Sequence, residues 1–197
     1  MLEALELLGK QLNSIYLEKQ PHSGRPFWLT ELPWQTEHEE QEVILRLQRP
    51  FLMDRPKESI VHLIQTQSYL AHLIFRTAER LSYPVSPMPN AMSNALKLLC
   101  YAFNDACQLL QDRVKHMDAL HHARYRKEHA RALRHLYQQQ ALHGKRIETA
   151  SHQLRHALAE ENGSLSSLDS VMLMLTLDDL CEIMGRIRAL LTSLQQY

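Results

Sequence analysis

Apolar residues recur at steps of three and four along nearly the whole chain, and this spacing constrains the fold more than any other feature. Such a period puts one stripe of side chains on one face of a helix, whereas a half-buried strand needs a period of two. The pattern runs through Leu5, Leu8, Leu12, Ile15 and Tyr16, predicting a first helix over 2–19. It returns in "VILRL", in "SIVHLIQTQSYLAHLIFRTAERL" ending by Tyr83, and in "AMSNALKLLCYAFNDACQLLQD" over 91–112. It returns again in a long basic segment over 117–161, and in "LDSVMLMLTLDDLCEIMGRIRALLTSL", which is apolar on most sides and is expected to be heavily buried. No pair of strands is evident. Only five glycines occur in 197 residues, below the roughly 7% of average proteins, which also favours helix. The fold class is all-α.

Breaks in the pattern mark the ends of these helices. "QPHSGRPFWLTELPWQ" reads as an irregular connector that packs back through Trp28 and Trp34. Thr36 and Glu39 have capping-box spacing for a short second helix ending near Pro50, and Pro56 suits the first turn of a third. "PVSPMPN", with three prolines, is the strongest linker signal and lies near mid-chain. Gly144 is a candidate break in the long basic segment; Gly163 is a helix stop, and Ser166 with Asp169 restarts the chain. The resulting division is a first three-helix unit over 1–84, a Pro-rich linker over 85–90 and a second three-helix unit over 91–197. One continuous helical bundle is the alternative.

Charge is balanced overall, 22 bases against 22 acids, but it is unevenly placed. Residues 1–60 carry ten acids and seven bases, residues 110–156 ten bases and four acids. A local excess of this kind governs association even in a neutral chain. Cys100, Cys107 and Cys181 lie inside apolar helical patterns and read as buried thiols of a reducing compartment. The start "MLEALELLGKQL" lacks the apolar run of a signal peptide, and no stretch has eighteen uninterrupted apolar residues. The expected location is cytoplasmic, with the inner face of a membrane reached through a partner or a fused transmembrane region.

Two helical stretches echo each other. Leu70-Leu73-Arg76 and Leu180-Ile183-Arg186 share their spacing at an offset of 110 residues, each in the third helix of its half. "DLCEIMGRI", Asp179 to Ile187, resembles the "DLERIGDH"-type motif of PhoU-like proteins, a family that includes the cytosolic portions of sodium–phosphate cotransporters. "YLAHLIFRT", Tyr69 to Thr77, is its weaker counterpart. The resemblance implies two tandem antiparallel three-helix bundles and a regulatory, non-enzymatic role in phosphate transport, with a membrane transporter or signalling protein as partner. It does not extend to the family's metal clusters. Positions where the family has ligating acids fall here on Cys181 and Gly185, and on Ala71 and Phe75, none of which supplies a carboxylate.

The segment "HMDALHHARYRKEHARALRHL" holds five histidines amid a run of Arg and Lys. On a helix its histidines scatter, but Arg124, Lys127, Arg131 and Arg134 line up. Lys145 joins that line if the helix continues, opposite Leu133, Tyr137, Ile147, Leu154 and Leu158. This basic stripe is the candidate partner- or anion-binding surface, beside the plainer reading of a solvated helix face. Nucleic acid fits poorly, because the whole chain is neutral. His152 and His156, one turn apart, suit a divalent metal in an alternative reading that needs further ligands from other helices. No catalytic residues are assigned and no cofactor is required. A plain helical adaptor or chaperone is the remaining alternative, and a homodimer is compatible with any of these.

Overall fold

The computed structural model describes residues 2–18, 28–47, 57–83, 88–122, 127–160 and 165–195. Among them are six helices and no strands: α1 (Leu2–Tyr16), α2 (Trp28–Leu47), α3 (Lys57–Leu81), α4 (Asn90–His122), α5 (Lys127–Glu160) and α6 (Ser167–Gln195). The all-α class follows.

Three boundaries differ from the sequence expectations, each for a local reason. α2 begins at Trp28, so that helix takes up half of the expected connector and Thr36 lies inside it rather than capping it. Pro33 is the sixth residue of α2, near enough to the open first turn that its missing N–H costs a single intrahelical bond. α4 continues ten residues past Asp112, and α5 runs unbroken through Gly144, because one glycine costs a helix interior only about 1 kcal/mol. The start of α6 is as expected. Ser166 Oγ accepts from the Asp169 amide at 3.0 Å and donates to the Asp169 carboxylate at 2.8 Å, closing a reciprocal cap.

Five helices pack as a closed ring in the order α1, α4, α5, α6, α3 and back to α1, while α2 lies against α3 on the outside. A single core runs through the ring. α1 contributes Leu5, Leu8 and Leu12; α3 contributes Leu70, Leu73 and Ile74. Phe103 of α4, Ile147 and Leu154 of α5, and Leu180, Ile183 and Ile187 of α6 complete it. Burying a side chain of this kind is worth about 1.5–3 kcal/mol. α1 approaches α4 closely at Gly9, where a Cβ would run into the Asn104 side chain. That amide in turn bonds Asn13 and the Cys100 carbonyl, both at 2.8 Å. A side chain at position 9 would have to displace the Asn104 amide from these bonds.

The core joins the two halves of the chain, since α1 and α3 meet α4 and α6 directly. α6 is less buried than its composition suggests. Its N-terminal half leaves Leu168 (71% exposed), Val171, Met174 and Leu175 open. No helix among the described residues is long and apolar enough to cross a membrane.

Candidate functional site: the two sides of α6 and the outer face of α5

α6 meets α3 on one side and α5 on the other. On the α3 side the echoed residues face each other. Leu70, Leu73, Leu180 and Ile183 are all buried. Arg76 forks onto Asp179, with Nη2 to Oδ1 at 2.5 Å and Nε to Oδ2 at 3.3 Å. Arg186 stacks over the Tyr69 ring at 4.5 Å. Each arginine thus lands on the residue seven positions before the other arginine, as two copies of one antiparallel contact would.

Asp179 is 3% exposed and receives Arg80 as well as Arg76. Thr77 Oγ1, which donates to the Leu73 carbonyl at 2.7 Å, lies 3.5 Å from the same carboxylate. Two guanidinium groups on one sealed carboxylate offset its lost hydration with charge-assisted bonds. Arg80 also donates to the Leu175 carbonyl at 3.1 Å. The Tyr69 hydroxyl donates to Glu182 at 2.7 Å, and this bond raises the tyrosine pKa. The arrangement is a latch between helices, with no open position at Asp179 for a metal.

On the α5 side the helices also touch, and Arg155 of α5 pairs with Asp178 of α6, but they part toward the C-terminal half of α6. A cleft of about 350 Å³ lies between them, lined by Ala141, Gly144, Lys145, Ile147, Glu148, Cys181, Met184, Gly185 and Arg188. A Cβ added at Gly144 or Gly185 would meet nothing within 4 Å. Packing therefore does not demand either glycine, in contrast to Gly9. Burial pushes the Cys181 thiol pKa up, so it is a weak nucleophile. Cys100 and Cys107, inside the core, are pushed up to about 12 by the same cause.

A second groove, about 370 Å³, separates α4 from α5 and is lined by Leu98, Leu142, Lys145, Arg146, Thr149, Ala150 and Gln153. Leu98 (56% exposed) and Tyr101 lie one turn apart on α4, opposite exposed Leu142. Lys145 lines both openings and forms the ridge between them.

Of the sequence-derived basic stripe, Arg124 lies outside the described residues. Lys127, Arg131 and Arg134 have backbone positions in α5, but their side chains lie outside the description. The unbroken α5 meets the condition that places Lys145 on the same line, and Lys145 is exposed while Ile147, Leu154 and Leu158 are buried. His152 and His156 are both exposed, and His156 Nδ1 lies 3.2 Å from Glu160. Among the described residues no group of three or more His, Cys, Asp or Glu is placed to hold a metal. Sequence reasoning missed both grooves and the partners of Asp179. The signal for the latch was the echo itself, and the signal for the cleft was two glycines inside strong helical patterns. No protein-family model matches this chain, and no curated protein matches it.

Proposed function

We propose that this chain is a non-enzymatic regulatory module that docks on a partner through the outer face of α5. The reading is of the PhoU-like kind, with a membrane phosphate transporter or its signalling protein as the partner. The observation that carries it is the continuity of α5 from Lys127 to Glu160. This continuity keeps positions 127, 131, 134 and 145 in register along a single helix. Cations at positions in such register suit phosphate groups or an acidic partner surface. The reciprocal α3–α6 contact supports the tandem organisation, with units over 1–84 and 91–197. The single core and the closed ring of five helices support the alternative of one continuous bundle.

The test is titration with inorganic polyphosphate, comparing the native chain with a variant in which Arg124, Lys127, Arg131 and Arg134 are all Gln. Salt-dependent binding that weakens about tenfold or more in the variant is expected. Equal binding by both proteins sinks the reading.

A second reading, a helical adaptor, is favoured by one observation: the exposed row Leu168, Val171, Met174 and Leu175 on α6. In that case Leu168→Ser with Val171→Ser abolishes partner capture, while the α5 variant leaves it intact. The metal-binding alternative through His152 and His156 predicts a stoichiometric divalent ion that both alanine variants lose.

A further inference from the structure

We infer that the groove between α4 and α5 receives α2 of a second copy of this chain, in a head-to-tail assembly. The inference concerns the C-terminal half of α5 and holds whether or not the regulatory reading does. The groove combines an apolar floor, Leu98, Leu142 and Ala150, with the exposed cations Lys145 and Arg146 on its lip. Lys97, the residue before Leu98 on α4, is exposed. Such a groove fits an amphipathic helix that offers an apolar anchor beside carboxylates.

α2 is a helix of that kind. Glu39, Glu42 and Leu45 are spaced three apart, so they share one face. All three are exposed, Leu45 at 61%. Glu37 is also exposed, and His72 lies 3.7 Å from its carboxylate. Arg46 pairs with Glu42 at 2.5 Å on the surface, an exposed i,i+4 pair worth only about 0.3–0.5 kcal/mol and readily exchanged. On the receiving side Glu148 is the exposed acid of α5 nearest the lip in sequence, and Asp105 of α4 lies 3.7 Å from His143. The chain is neutral overall, yet α2 carries five acids and one base while α5 carries six bases and three acids, which favours contact between copies.

The ring order fixes the kind of assembly. α2 lies outside α3, and α3 lies across the ring from the α4–α5 edge. Donor and acceptor surfaces therefore sit on opposite sides of one molecule. A contact between them repeats from copy to copy and does not close as a two-fold dimer.

Light scattering across a concentration series tests this in about 0.01 M salt, where charges act over ~30 Å. The weight-average mass is expected to climb steadily past twice the 23.0 kDa of one chain, and to return to one chain in about 1 M salt. The variant Glu39→Lys with Glu42→Lys, and the variant Lys145→Glu with Arg146→Glu, are each expected to remain single chains. Mixed in equal amounts they regain assembly, because each supplies the surface complementary to the other. That recovery cannot come from misfolded protein. A native chain that stays single at every concentration overturns the inference. So does assembly that survives either charge reversal, or a mixture that fails to associate.

Discussion

The two long sides of α6 show opposite uses of similar helices. Against α3, leucine and isoleucine interlock and a sealed aspartate is gripped by two arginines. Against α5, Arg155 pairs with Asp178, but beyond that pair two glycines and a thiol border open space. A helix interior tolerates glycine at a cost of about 1 kcal/mol each relative to alanine. The α3 side spends sequence on fixing two helices together, whereas the α5 side gives up helix stability and leaves a cleft. α3–α6 is thus the tighter of the two seams.

The contrast is broken most severely at Asp179. Asp179→Ala leaves Arg76 and Arg80 side by side without their counter-charge. Loss of about 3 kcal/mol is expected, tempered by the partial exposure of Arg76. In a chain of this size that lowers Tm by roughly 6–12 °C. An unchanged Tm in calorimetry would mean that the latch contributes nothing. Removing the reciprocal contact, with Tyr69→Ala, is expected to lower Tm much less, since the ring and its bond to Glu182 are exposed. A larger loss than at Asp179 would reverse the ranking of the two half-contacts.

The thiols sharpen the same contrast. Native alkylation is expected to modify Cys181, at the cleft, well before Cys100 and Cys107, which are sealed in the core. Mass spectrometry of peptides from a time course distinguishes these orders. In the unfolded chain a thiol ionises near 9, and in the core Cys100 and Cys107 ionise at about 12. Between those values the unfolded state sheds the proton first, so stability falls as pH rises from 9 to 12 and carries no slope from these groups below 9. Denaturant melts at several pH values should show that fall, and Cys100→Ala with Cys107→Ala should reduce it, leaving the part due to the buried Tyr16 phenol, whose pKa burial also raises.

Much of this architecture is legible in the sequence, for reasons that also mark where legibility ends. The stripe Leu5, Leu8, Leu12 and Tyr16 is buried, as its period requires. Ser166 and Asp169 cap α6, since a capping box is a local interaction. Thr36 carries the same kind of signal yet sits inside α2, because a capping pattern cannot report how far a helix extends upstream of it. The exposure of Leu168 and Val171 was hidden, because hydrophobicity along a helix does not reveal which neighbour is present to cover it. At the site, the echo at Arg76 and Arg186 was readable, but the partners it meets depend on an antiparallel contact between distant segments. The cleft depends on the spacing of α5 from α6, which no local pattern encodes.

A pair of stabilising changes tests the central claim most directly. Gly144→Ala and Gly185→Ala each place a methyl group where nothing lies within 4 Å, and each removes a helix-interior glycine. If the α5 side is open by construction, the double variant gains about 1–2 kcal/mol and its Tm rises by roughly 3–6 °C. A fall in Tm would show that the helices close on those glycines as they do at Gly9, and that the two sides of α6 are alike.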